Sequence, residues 1–133
     1  RLKQHWETGV RLAEWCARQP EVERVLHPAL PGDPGHALWK RDFRGACGLF
    51  GVVLKPVPTE AFHALIDGAT LYGLGASWGG YESLIQPSPL EGIRTATRWP
   101  YAGPLFRIHA GLEHPDDLEA SLAEAFARMR ARL

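Results

Sequence analysis

The chain reads as an α+β domain, a small and mainly antiparallel sheet covered by helices. Apolar residues at three- and four-residue spacing mark helices at both ends, and short apolar, β-branched runs bounded by glycine and proline lie between them. Strand-like and helical segments are interleaved, with no internal repeat and no low-complexity stretch.

The first helix is predicted over residues 2–19, with Leu2, Trp6, Val10, Ala13 and Ala17 as its apolar stripe and Pro20 as its stop. Glu21 to Leu26 mixes valines with charges and reads as a short strand. His27 to Gly35, rich in proline and glycine, reads as loop, and residues 34–43 hold a short helix of weak apolar pattern. Leu49 to Leu54 is a compact apolar run ending near Pro56, hence a buried strand. Thr59 and Glu60 open a helix with Phe62, Leu65 and Ile66 on one side and Gly68 at its end. Leu71–Ala76 and Tyr81–Gln86 are expected as strands flanking a Ser-Trp-Gly-Gly turn, residues 87–104 as connection, and Leu105–Ala110 as the last strand. The final helix has Pro115 in its first turn, Asp116, Asp117 and Glu119 at its positive end, and Arg128, Arg130 and Arg132 at its negative end. Leu118, Leu122, Phe126 and Met129 form its buried stripe.

At 133 residues, 45% of them hydrophobic, the chain fits one domain with a real core. Fifteen basic against fifteen acidic residues leave no electrostatic footprint for nucleic acid or an acidic membrane. No apolar run is long enough to span a bilayer, and the N-terminus has no signal-peptide pattern. Cys16 and Cys47 form neither a CxxC motif nor a disulfide framework, so a cytoplasmic protein with two ordinary thiols is expected. Arg1 already stands inside a helical pattern with no cap before it, which reads as the trimmed end of a longer chain.

Four glycines fall within residues 73–80 (Gly73, Gly75, Gly79, Gly80). Such a cluster suits a tight turn, or backbone that a small molecule approaches closely. Ser77 and Trp78 stand at its mouth, where a serine ordinarily bonds locally and a tryptophan ordinarily belongs to the core. Arg107 lies mid-strand between apolar neighbours, and desolvating its guanidinium requires a partner. The pattern leaves two partners open: a carboxylate such as Glu82 or Glu113, or the carboxylate of a bound amino acid gripped by the planar fork. His109 shares a strand face with Arg107 and is either its support or a satisfied structural histidine. His109 and His114 bracket Glu113 at a spacing that matches neither HExxH nor HxxEH, so no metal site is expected. Glu82 is expected to orient the Gly79-Gly80 turn or pair with an arginine.

The runs Ser77-Trp78-Gly79-Gly80-Tyr81-Glu82-Ser83 and Arg107-Ile108-His109-Ala110-Gly111-Leu112-Glu113 resemble the C-terminal domain of the pyridoxal-phosphate enzymes of cysteine and methionine metabolism. The likeness spans the chain, through Arg1-Leu2-Lys3-Gln4-His5, His27-Pro28-Ala29-Leu30-Pro31-Gly32, Trp39-Lys40-Arg41-Asp42-Phe43 and Gly48-Leu49-Phe50. Trp78 resembles the bacterial cystathionine β-lyase branch in particular. The resemblance implies that residues 1–133 are the small C-terminal domain of a fold-type I enzyme, a carbon–sulfur lyase whose full-length form is a homo-oligomer. It assigns the substrate carboxylate to Arg107, the Ser77 hydroxyl and the Trp78 backbone N–H, which should therefore converge on one concave surface. Ala76 departs from the pattern, since related enzymes often place Glu or Tyr there, which leaves substrate preference open.

The chemistry of that family needs a lysine amine. Lys3, Lys40 and Lys55 stand in contexts unlike the family's lysine motif, and no phosphate cradle resembling the family's is present. The resemblance implies that both belong to a larger preceding domain, so no catalytic residue is expected in this chain, and by itself it should neither hold the cofactor nor turn over. Apolar surface is expected near Trp6, Trp78 and Tyr81, where that domain or a neighbouring subunit would pack. The competing reading is a non-catalytic small-molecule-binding or interaction domain of α+β type, functioning as it stands.

Overall fold

A computed structural model describes residues 1–133. The element order is α1 (Leu2–Ala17), β1 (Val22–Leu26), α2 (His36–Asp42), β2 (Leu49–Leu54), α3 (Thr59–Gly68), β3 (Gly73–Leu74), β4 (Leu84–Pro87), β5 (Leu105–His109) and α4 (Pro115–Arg130). The five strands form one sheet in the order β1-β2-β5-β4-β3. All neighbours run antiparallel except β3 and β4, which are parallel. The α+β expectation holds: α1, α3 and α4 bury the sheet face that carries Phe50, Val52, Leu54, Ile85, Phe106 and Ile108.

The last helix follows its pattern. Leu118, Leu122, Phe126 and Met129 are fully buried, and His114 caps the helix by accepting a hydrogen bond from the Asp116 amide at 3.3 Å. The first helix is rotated relative to its predicted stripe. His5, Thr8, Gly9, Leu12, Ala13 and Cys16 face the core, whereas Leu2 and Ala17 are exposed and Trp6 and Val10 only half-buried. The cause is a close crossing, since a Cβ at Gly9 would lie 2.9 Å from the Gly48 Cα, so small residues must face the sheet. Trp6 is then pushed to the rim against the Trp39 ring, 6.3 Å between centroids, and is less open than expected. Trp78 and Tyr81 are exposed, as expected.

Gly68 also differs in role. It closes α3 without a left-handed turn and lies against α4, where a Cβ would sit 3.0 Å from the Ala125 Cα. The predicted strands around the glycine cluster shrink to Gly73–Leu74 and Leu84–Pro87. Residues 81–83 are drawn away to the turn after β5: the Leu112 amide donates to the Tyr81 carbonyl at 2.8 Å, and the Ser83 amide donates to Glu113 Oε1 at 2.8 Å. The excursion after β4 returns beside its own start, with Pro87 opposite Phe106 and the Ser88 amide donating to the Leu105 carbonyl at 2.9 Å. It is pinned at Tyr101, whose hydroxyl accepts from Arg24 at 2.6 Å. No helix is long and apolar enough to cross a membrane.

Candidate functional site

Strand alternation decides what β5 offers. Phe106 and Ile108 point into the helix-covered core, so Leu105, Arg107 and His109 share the other face. Arg107 stands in the middle of the sheet, opposite Gly51 on β2 and Gln86 on β4. Its Nη2 donates to the Ala76 carbonyl and faces the Ser77 carbonyl at 3.5 Å. The guanidinium lies 5.4 Å from the centre of the Trp78 ring, a cation–π contact. The structure thus brings Arg107, Ser77 and Trp78 together, with the loop of residues 75–83 folded over the guanidinium.

Neither carboxylate expected as a structural partner reaches Arg107. Glu113 is taken by Ser83, through its amide at 2.8 Å and its hydroxyl at 2.6 Å, while Glu82 is exposed. A half-buried guanidinium is therefore held by backbone carbonyls and an indole, with no carboxylate neutralising it. Such a fork keeps its capacity to bind a small carboxylate in two-point geometry. A cavity of about 140 Å³ beside Trp78 is lined by His5, Cys47, Gly79 and His109 among others, and Arg107 and Ser77 lie outside it.

Among the clustered glycines only Gly79 has a left-handed backbone, with φ of 83°. The others do different work: Gly73 and Gly75 let the Leu84 side chain pack against them. Beneath the turn, His109 is 2% exposed, and its Nε2 lies 3.1 Å from both the Gly79 amide and the Gly80 carbonyl. The His5 ring packs 5.1 Å behind it and bonds the Ala110 carbonyl through Nδ1 at 2.7 Å.

Sequence reasoning missed Ser83. Its hydroxyl donates to Glu113 Oε2 and accepts from the Gly111 amide at 2.8 Å, locking the end of the 75–83 loop to the turn before α4. Gly111 is required there because a Cβ would collide with the Tyr81 carbonyl oxygen and fall 2.6 Å from the Ser83 amide nitrogen, backbone that cannot move aside. The signal lies in the Glu-Ser and Gly-Leu-Glu ends of the two motifs, whose polar groups pair with each other.

The lysines are placed at the surface. Lys3 pairs with Glu7 at 3.5 Å, Lys55 Nζ donates to the Pro20 carbonyl at 2.6 Å, and Lys40 is exposed on α2. The first turns of α3 and α4 carry Glu60, Asp116 and Asp117, which oppose a phosphate at those helix ends. These residues do not fit pyridoxal phosphate.

Comparison with known proteins agrees with the geometry. The family described as "Cys/Met metabolism PLP-dependent enzyme" matches residues 1–127. Cystathionine beta-lyase of Salmonella typhimurium is 51% identical over 97% of the chain, and cystathionine beta-lyase MetC of Escherichia coli is 48% identical over 97%. The chain spans 34%, about a third, of the length of each. An L-alanine/L-glutamate racemase of Wolbachia pipientis is 39% identical over 97% of the chain and 32% of its own length. Among solved structures, cystathionine gamma synthase of Xanthomonas oryzae, in complex with aminoacrylate and cysteine, superposes over all of the chain and 35% of its own, at a TM-score of 0.85 and 30% identity. A family match over residues 1–127 and relatives at about half identity place the chain among the pyridoxal-phosphate-dependent enzymes of cysteine and methionine metabolism, on the cystathionine β-lyase-like side.

Proposed function

We propose that this chain supplies the substrate-carboxylate site of a pyridoxal-phosphate-dependent carbon–sulfur lyase that converts L-cystathionine and water to homocysteine, pyruvate and ammonia. The observation that carries this reading is Arg107, a half-buried guanidinium with no carboxylate partner, set beneath Ser77 and against Trp78. Arg107 binds the carboxylate of the amino acid, the Ser77 hydroxyl and Trp78 amide complete the cradle, and the indole shields the ion pair from water. The choice of β-lyase over other members follows the relatives that are 51% and 48% identical. A self-sufficient binding domain is less well supported, because an enzyme family matches residues 1–127.

The amine and phosphate site for the cofactor lie, on this reading, outside these residues, in a cytoplasmic and homo-oligomeric enzyme. The isolated chain is then inactive. Purified and mixed with pyridoxal phosphate, it should develop no borohydride-reducible absorption band and release no pyruvate from cystathionine. In the full-length enzyme, Arg107→Ala should raise KM and lower kcat/KM by roughly two or more orders of magnitude, because charge and fork are lost together. A near-wild-type kcat/KM for L-cystathionine would remove Arg107 from the site.

A further inference from the structure

The carboxylate reading uses Arg107, Ser77 and Trp78 and leaves the Gly79-Gly80 end of the 75–83 loop unexplained. Residues 76–82 are exposed, and a Cβ at Gly79 or Gly80 would meet nothing within 4 Å. Packing therefore does not hold this turn. On its β5 side it is fastened by two side chains two residues apart, and at its far end by the Leu112 amide on the Tyr81 carbonyl. Arg107 binds the carbonyls of Ala76 and Ser77, and His109 meets the Gly79 amide and the Gly80 carbonyl. Ser77 and Trp78 lie between the two fastenings. The second one is rigidly backed, because His109 is 2% exposed and His5, itself bonded to the Ala110 carbonyl, packs against its ring.

We infer that His109 is a positioning residue, whose hydrogen bond to the Gly79-Gly80 backbone sets where Ser77 and Trp78 stand relative to Arg107. This inference rests on the carboxylate reading for its functional consequence. The geometry asks for a side chain that reaches the turn and bonds amide or carbonyl, which imidazole does in either neutral tautomer. Gly79 is the turn's left-handed residue, at φ of 83°, and with Gly80 beside it the released turn meets little steric resistance to swinging.

The test compares His109→Phe, which keeps a planar ring and removes the Nε2 hydrogen bond to the turn, with His109→Gln, whose amide can remake it. In the full-length holoenzyme, His109→Phe should raise KM for L-cystathionine by roughly three- to tenfold, the scale of one lost hydrogen bond, with kcat changed less than KM. His109→Gln should restore most of that loss. An independent readout comes from amide NMR of the chain described here. The Gly79 and Gly80 resonances should shift or broaden in His109→Phe and return in His109→Gln, while those of Leu122 and Phe126 in α4 stay in place. Unmoved Gly79 and Gly80 amides, or a His109→Gln variant as impaired as His109→Phe, would overturn the inference, the second by showing that ring volume is what matters. Should His109→Phe fail to fold, His109→Leu takes its place, since it too occupies the site without a group able to bond the turn. An Arg107→Ala enzyme with unchanged KM would instead sink the carboxylate reading, and the amide test of His109 would still stand.

Discussion

Glu113 shows how one carboxylate can fasten the loop beside Arg107 through a single serine. Ser83 is 1% exposed and gives Glu113 two hydrogen bonds while accepting one from Gly111. Ser83→Ala leaves the Gly111 amide and a carboxylate oxygen without partners, and should cost about 2 kcal/mol in urea unfolding. Glu113→Gln should cost a similar amount, and the double variant clearly less than the sum. Additive losses would mean that the two do not act as a unit. His27 gives a pH-dependent counterpart. It is 1% exposed, its Nε2 has no partner, and burial lowers its pKa below the ordinary histidine value. The folded state therefore favours neutral imidazole. The stability this contributes is full above the unfolded pKa near ~6.5 and is lost as pH falls toward the lower folded value. His27→Asn should flatten the fall of Tm between neutral pH and about pH 5, and identical slopes would rule His27 out as the group responsible.

At the scale of elements, the chain was most legible where the information is local. The stripe of α4 depends on residues three and four apart, and every one of its predicted positions is buried. The stripe of α1 misled because its orientation is set by a partner distant in sequence, the Gly9–Gly48 crossing. The large residues Leu2 and Trp6 drew the reading toward what is in fact the rim. Likewise Tyr81–Ser83 resembles strand locally but bonds to residues 111–113. The arginine at the centre of the site could be read because a charge inside an apolar strand is conspicuous. Its lack of a carboxylate partner could not be, since Glu113 was free to pair until Ser83 was seen to occupy it. The crossing makes a prediction that runs against helix propensity. Alanine is about 1 kcal/mol better than glycine inside a helix. Gly9→Ala should nevertheless lower stability, by roughly 1–3 kcal/mol, because its Cβ meets backbone that cannot turn aside. A raised Tm would show that α1 can shift outward at little cost.

For the whole molecule, the decisive asymmetry is that the helices cover one sheet face only. Leu26, Leu49, Leu84 and Leu105 lie half-buried on the other, and Trp78 and Tyr81 are exposed at its end, 59% and 72%. A surface of this kind is suited to protein contact. The isolated chain should therefore self-associate at high concentration, seen as a rising weight-average mass in sedimentation. Trp78→Ser combined with Tyr81→Ser should weaken it. A mass constant at that of the monomer across the series would show that the open face does not drive association.

The excursion between Pro87 and Leu105 has a consequence for how such a domain can diverge. Its ends are fixed side by side in the sheet, and residues 91–98 are exposed throughout. Lengthening a loop whose ends are already fixed costs only about 0.6 kcal/mol per doubling. Insertions and deletions can therefore accumulate there while the register that seats Arg107 stays the same. Residues 91–98 can be rewritten, changing what the rim presents to a neighbour without retuning the arginine that stands at the sheet's centre.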